Sequence, residues 1–238
     1  MSRAQAIAGA ERYFDEGRFL ADLARRVAIP TESQNPARAG ELAAYLESEM
    51  SESLERMGFT CRVVANPTGK YGPFLLAERI EDTSLPTVLT YGHGDVIRGQ
   101  EEQWRSGLAP WKLCIEGEKI YGRGTADNKG QHTINIAALE QVLRARGGKL
   151  GFNVKVLLET GEEVGSPGLN EICKSYKKEL QADVLIASDG PRLQPGRATI
   201  FLGSRGALNF DMVVDLRPGG NHSGNWGGLL VNPGIVLA

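Results

Sequence analysis

Alternating apolar and polar runs along the chain predict a sheet whose strands are separated by helices. Short apolar runs bounded by Gly and Pro are typical of strands, and they occur at 60–65, 74–80, 86–91, 152–159 and 183–188. Apolar residues at three- and four-residue spacing predict helices over 10–29, 38–57, 128–146 and 168–180. Because helix and strand alternate from residue 128 to 189, we expect an α/β fold with a mostly parallel, helix-covered sheet.

Two shorter features interrupt this order. Residues 112–115 and 119–121 flank a turn at Gly117 and predict a hairpin. After Gly190 the helical spacing is lost, and Ala198–Leu202 and Leu208–Leu216 predict two longer strands joined by a glycine-containing turn. The change of pattern places a domain boundary near residues 193–197.

The pattern therefore predicts one domain over residues 1–193 and the beginning of another over 197–238. The chain stops at the apolar sequence Val236-Leu237-Ala238 rather than at a polar tail. We expect from this that it is a C-terminally truncated fragment of a longer protein.

Composition excludes several classes of partner. The 27 Lys and Arg residues nearly balance 29 Asp and Glu, and they form no basic stripe, so we expect no nucleic-acid partner. No apolar stretch approaches the roughly 20 residues of a membrane helix, and the N-terminus lacks the core of a signal peptide, so we expect no membrane association. Cys61, Cys114 and Cys173 form no Cys-x-x-Cys pair. A reduced, cytoplasmic protein is expected.

Four polar clusters follow the predicted strands or open a helix, and their residue types suit metal binding. They are His93-Gly94-Asp95, Asp127, Glu162-Glu163 and Asp189. Carboxylates that bridge two divalent ions, with imidazoles completing the coordination, activate water near neutral pH. The order of these clusters along the chain therefore predicts a site for two metals at the strand ends.

Each cluster suggests a role, and each also has a simpler interpretation. His93 is a candidate ligand, and Asp95 can accept the other ring N–H. Either Glu162 or Glu163 can bind metal while its neighbour acts as general base. Taken singly, Asp127 could cap a helix and the other carboxylates could face solvent or occupy a turn. The order of all four favours the metal site.

The segments around these clusters resemble the signatures of the M20 family of co-catalytic zinc peptidases, which also includes aminoacylases and deacylases. The similar segments are Tyr91–Asp95, Gly122–Gly130, Glu159–Ser166 and Ser188–Asp189. Within that family, Asn221–Gly228 is most similar to the carnosinase-like dipeptidase branch. The resemblance extends from about residue 20 to the end of the chain.

The resemblance implies a fold and a set of metal ligands. A zinc-exopeptidase-like catalytic domain would be followed by the start of an α+β lid and dimerisation domain. His93 and Asp189 would hold one metal, Glu163 the other, and Asp127 would bridge both, with the Asp127–Asn128 peptide in the cis form. Zn²⁺ is the first choice, and Co²⁺ or Mn²⁺ also suits such ligands.

The resemblance also implies an activity. The enzyme would cleave the amide bond of dipeptides or N-acyl amino acids through a metal-activated water, with Glu162 as general base. His222 would stabilise the oxyanion from the lid, often across a dimer, so the full-length parent is expected to be a homodimer. Arg205 and Asn209 are weaker candidates for contacts with a substrate carboxylate.

One departure from the family pattern leaves an alternative open. The late histidine that completes the second metal site in the family is absent, and His132 lies inside a predicted helix, where we expect it to be a core or surface residue. The alternative is therefore a non-catalytic fragment of such an enzyme. A serine hydrolase is disfavoured because no Gly-x-Ser-x-Gly occurs, and Gly122-Arg123-Gly124 lacks the third glycine of a dinucleotide-binding loop.

Overall fold

The chain forms two units, Met1–Gly190 and Pro191–Ala238, and each is described by itself. The computed structural model describes residues 3–190, 192–194, 196–203, 206, 208 and 210–238. Among these residues, no helix combines the length and the apolar character that crossing a bilayer requires.

A five-stranded sheet forms the centre of the first unit. The strands in chain order are β1 (Thr60–Val64), β2 (Phe74–Arg79), β3 (Thr87–His93), the hairpin strands β4 (Cys114–Glu116) and β5 (Lys119–Tyr121), β6 (Asn153–Glu159) and β7 (Val184–Ala187). The sheet order is β1-β2-β6-β3-β7, and β4 and β5 pair separately. Strand β3 is parallel to both β6 and β7, whereas β2 is antiparallel to its neighbours. The mostly parallel sheet and the hairpin are confirmed.

Helices cover both faces of this sheet. They are α1 (Arg3–Asp15), α2 (Arg18–Val27), α3 (Ala39–Ala44), α4 (Ser51–Glu55), α5 (Lys129–Ala145) and α6 (Leu169–Ser175). A π-helical segment, Tyr45–Met50, joins α3 to α4. The helix predicted over 10–29 is divided in two, because Gly17 adopts a left-handed conformation with φ of 74°. The helix predicted over 168–180 ends at Ser175.

The strands bury alternate residues on opposite faces, as the two-residue period requires. On one face, Leu75 of β2 and Val156 of β6 belong to the same core as two helical residues. These are Met50, at the end of the π-helical segment, and Leu54 of α4. On the other face, Leu76 and Leu157 pack with Ile172 of α6. This double covering explains why six of the seven residues of β6 are buried. It also fixes the carboxyl ends of β3 and β6 side by side.

The described part of the second unit contains two short helices, α7 (Ser223–Trp226) and α8 (Pro233–Leu237). The strands predicted over 198–202 and 208–216 are wrong for the residues described there, which belong to no strand. Their apolar side chains, among them Leu202 and Val213, are exposed. A strand needs a paired neighbour and a packed face to be stable. The described residues of these two ranges have neither.

Candidate metal centre

The parallel strands bring the predicted site residues to one edge of the sheet. His93 is the last residue of β3, and its register partner is Glu159, the last residue of β6. Glu162 begins a 3₁₀ turn, Glu162–Val164, three residues after the end of β6. Asp189 lies two residues after the end of β7. The candidate metal ligands therefore lie where these strands end, which is the usual place for a binding site in such sheets.

Three carboxylates surround the Nε2 atom of His93. This atom lies 2.9 Å from Oδ1 of Asp127 and 3.8 Å from oxygens of both Glu162 and Asp189. One ligand atom each from His93, Glu162 and Asp189 lies within 4.8 Å of the other two. Asp127 immediately precedes the cap of α5, as the sequence pattern required. Four predicted site residues are thus brought together.

Asp95 connects the imidazole to the glutamate turn. Its Oδ1 lies 3.3 Å from Nδ1 of His93, and its backbone oxygen lies 3.0 Å from the same nitrogen. The two carboxylate oxygens accept the backbone N–H groups of Glu162 and Glu163, at 3.2 and 3.1 Å. Asp95 therefore fixes both the ring of His93 and the turn that carries both glutamates.

Glu163 is adjacent to this cluster, and His222 is part of the other unit. The structure fixes the backbone of Glu163 beside Asp95, but its carboxylate is not one of the three groups that converge within 4.8 Å. His222 belongs to the second unit, where it caps α7 and its Nδ1 accepts the N–H of Gly224 at 3.1 Å. The roles assigned to them stay predictions. Arg205 and Asn209 lie outside the described residues.

The charges of the cluster favour a cation near Nε2 of His93. Burial opposes protonation of His93, but hydrogen bonds and charges from Asp189 and Asp95 outweigh it and raise its pKa to about 11. Burial raises the pKa of both Glu162 and Glu163, and nearby carboxylates add to the effect while His93 opposes it. Imidazole nitrogen and carboxylate oxygen are ordinary zinc ligands. The residues present fit a divalent ion.

The segment that follows His93 is held by the loop after α2. Thr31 donates its hydroxyl to the backbone oxygen of Gly94 at 2.6 Å, and its own carbonyl accepts the N–H of Val96 at 2.9 Å. Glu32, which is buried, accepts the N–H of Gly99 at 2.6 Å. These contacts hold both sides of Asp95 and so stabilise its position in the site.

This support predicts a pH-dependent effect of Glu32→Gln. Burial alone would raise the pKa of Glu32, but the N–H of Gly99 with Asn35 and Arg38 lowers it. A carboxylate with a lowered folded pKa adds stability above its unfolded pKa and loses it as pH falls through the folded value. We expect the variant to be less stable at pH 7 by roughly 1 kcal/mol in urea unfolding, with the difference shrinking toward pH 3.

The exposed Glu102→Gln is the matched control and should change stability by less than about 0.5 kcal/mol. A difference between Glu32→Gln and the wild-type chain that stayed constant from pH 7 to pH 3 would contradict the role of the carboxylate charge.

Sequence reasoning missed Asn128 as a site residue. Its peptide bond with Asp127 is cis, as the resemblance implied. Its side chain is buried, accepts the backbone N–H of His93 at 3.2 Å and donates to Oδ1 of Asp189 at 3.2 Å. An Asn at the start of a helix ordinarily predicts a cap, so the sequence held no separate signal for this contact.

Comparisons with known proteins agree with this geometry. The sequence model of peptidase family M20/M25/M40 matches residues 89–220, more than half of the chain and all of the cluster. The β-Ala-His dipeptidase of Rattus norvegicus is 37% identical over 164 residues, which cover 68% of this chain and 33% of the rat protein. The Cys-Gly metallodipeptidase of Candida albicans is 28% identical over 235 residues, covering 91% of this chain and 47% of that protein.

A solved structure gives the same relation. The crystal structure of human carnosine dipeptidase 1 superposes with a TM-score of 0.71 and 29% identity, over 79% of this chain and 41% of the human one. The chain thus spans about a third to a half of the length of these relatives. From the cluster at the sheet edge and the match over residues 89–220, the chain belongs to peptidase family M20/M25/M40.

Proposed function

We propose that this chain carries the metal-binding part of a hydrolase that cleaves the amide bond of dipeptides. The observation that carries the proposal is the convergence of Asp127, Glu162 and Asp189 on Nε2 of His93. Relatives named for the dipeptides β-Ala-His and Cys-Gly favour dipeptides over N-acyl amino acids as substrates.

The proposed ligands divide between two divalent ions, with zinc the first choice and cobalt or manganese also suited to these donors. His93 and Asp189 would hold one ion, Glu163 would hold the other, and Asp127 would be a ligand shared by both. When bound, the ions supply Lewis-acid activation of the amide carbonyl and of the attacking water.

Glu162 is the proposed proton carrier. Its Oε2 lies 3.8 Å from Nε2 of His93, so the carboxylate faces the same small volume as the ligands. There it takes the proton of the attacking water and returns it to the departing amine. Asp95 holds the N–H groups of Glu162 and Glu163, which keeps the base and its neighbour in fixed directions.

The remaining proposals concern the whole protein. His222, a residue of the second unit, donates a hydrogen bond to the developing oxyanion. Such stabilisation of the oxyanion is often the largest contribution to the rate of amide hydrolysis. The longer protein is a homodimer in the cytoplasm, where the free thiols of Cys61, Cys114 and Cys173 stay reduced. This chain has a formal net charge of −2 and no basic stripe, which supports the proposal that nucleic acid is not its partner.

Hydrolysis assays test the proposed substrate class. We expect the zinc-loaded chain to hydrolyse Cys-Gly and β-Ala-His faster than an N-acetylated amino acid, and a chelator to stop all three reactions. Faster release of acetate from the N-acetylated amino acid than of amino acids from the two dipeptides would indicate a deacylase instead. Zinc binding without hydrolysis of any substrate would assign this chain the non-catalytic role.

A further inference from the structure

A line of buried polar groups leads from the helical layer to the metal centre. Oη of Tyr45, in the π-helical segment, lies 2.5 Å from Nε2 of His132 in α5. Nδ1 of the same imidazole lies 3.4 Å from Oδ1 of Asn128. Tyr45 and Asn128 are fully buried and His132 is 4% exposed. None of these three side chains is used in the proposed mechanism.

The direction of every hydrogen bond in this line is determined from one end. The backbone N–H of His93 can only donate, so the Asn128 atom 3.2 Å away must be the amide oxygen. That oxygen can only accept, so Nδ1 of His132 carries the ring proton. In a neutral imidazole the other nitrogen is then an acceptor, and the Tyr45 hydroxyl donates to it.

The other end of the Asn128 amide contacts the end of β7. With its oxygen directed to β3 and α5, Nδ2 faces the backbone oxygen of Ser188 at 2.6 Å and Oδ1 of Asp189 at 3.2 Å. It also donates to the side chain of Gln131. One amide therefore joins the backbone of His93 to the carboxylate of Asp189, and its orientation decides whether Asp189 meets a donor or an acceptor.

The strand that carries His93 leaves space for this line on both sides. A Cβ at Gly92 would lie 2.9 Å from Oδ1 of Asn128, and a Cβ at Gly94 would lie 2.6 Å from the ring of Tyr45. Either contact is closer than side chains tolerate. The glycines that flank His93 thus permit the close approach of the Asn128 amide and the Tyr45 ring.

We infer that Tyr45 and His132 are positioning residues of the metal centre, which act through Asn128 to hold Asp189 and the backbone of His93. The inference rests on the proposed function for the metal, but the bond directions follow from the geometry alone. Burial lowers the pKa of His132 well below its ordinary value, and the charges of Arg26 and Lys129 act in the same direction. The ring therefore stays neutral in a single tautomer.

The tautomer can be measured without metal or substrate. The chain has three histidines, so ¹⁵N–¹H correlation spectra of the imidazoles are simple to assign. We expect His132 to be neutral and to carry its proton on Nδ1 from about pH 6 to about pH 8. A proton on Nε2, or a ring that becomes charged in this range, would overturn the direction of the relay and with it the inference.

Two substitutions of His132 separate positioning from packing. The amide nitrogen of Asn can take the place of Nδ1 and still donate to Asn128, whereas the amide of Gln reaches the position of Nε2 and contacts Tyr45 instead. Loss of an outer partner of a metal ligand costs about 10–100-fold in affinity. We expect His132→Gln to weaken zinc binding by at least about tenfold, and His132→Asn to retain most of the affinity.

Zinc affinities are compared among variants whose metal-free forms unfold at the same temperature as the metal-free wild-type chain. If a substitution of His132 prevents folding, Tyr45→Phe, which removes only the hydroxyl, takes its place, with the same expected direction. Equal zinc affinity in His132→Gln and the wild-type chain would overturn the inference. A wild-type chain that bound no zinc would contradict the proposed function, and the tautomer measurement would still decide the relay.

Discussion

Replacing Glu162 by Gln is expected to remove most of the hydrolysis while leaving zinc affinity close to that of the wild-type chain. A positioned general base contributes about 10²–10⁴-fold to the rate, and Gln has nearly the same shape but cannot accept the proton. The backbone N–H that binds Asp95 is unaffected by the change. Initial rates with a dipeptide at saturating zinc, beside a zinc titration against a chromophoric chelator, measure both quantities.

Glu163→Gln is the matched control, because the two glutamates are neighbours held by the same carboxylate. The proposed roles require Glu163→Gln to weaken binding of the second ion and to lose rate mainly at low zinc. Glu162 is nonetheless the glutamate found within 4.8 Å of His93 and Asp189. If Glu162→Gln weakened zinc binding and Glu163→Gln did not, the roles of base and ligand would be exchanged.

Replacing His93 by Ala is expected to lower zinc affinity by more than the roughly 100-fold that outer partners of a ligand can cost. Its imidazole is the group on which three carboxylates converge, and it supplies the one nitrogen among them. Removing it leaves carboxylates that repel one another without a neutral ligand to share the ion. Competition with a chelator of known affinity measures the loss.

The Asp95→Asn variant tests whether an outer partner of His93 matters less for zinc affinity than His93 itself. Asp95 touches the far nitrogen of His93 and the glutamate turn, so its loss acts on ligand orientation rather than on a metal bond. We expect it to cost about 10–100-fold in zinc affinity, less than His93→Ala. Circular dichroism of the metal-free variants is the control for folding. A larger loss in Asp95→Asn than in His93→Ala would contradict the assignment of His93 as a ligand.

The sequence was most informative where a local pattern and a buried sheet coincide. The strand that precedes Glu162 has apolar residues packed on both faces of the sheet, and the strand that ends at His93 pairs with it in parallel. Their ends therefore had to meet at one edge once the strands were parallel. The convergence of Glu162 and Asp189 on the same imidazole follows from that arrangement, whereas Asp127 reaches it from the start of α5.

Contacts between distant segments could not be read from spacing. Tyr45 and His132 are 87 positions apart and meet only because α5 packs near the π-helical segment. Within α5, His132 was predicted to be a core or surface residue and is buried, but its hydrogen bonds to Tyr45 and Asn128 had no sequence signal. The strands predicted after Gly190 failed for the opposite reason, because apolar alternation was present but the described residues there lack a paired neighbour.

X-ray absorption spectroscopy at the zinc edge, on the metal-loaded wild-type chain, tests most directly whether His93 and the carboxylates around it bind the metal. It identifies the types of atom that bind the ion and their distances. The account predicts nitrogen and oxygen ligands at about 2.0–2.2 Å, with the imidazole contribution lost in His93→Ala. The free thiols of Cys61, Cys114 and Cys173 are the competing ligands in this chain. Sulfur scattering at about 2.3 Å, or a spectrum unchanged by His93→Ala, would contradict the account.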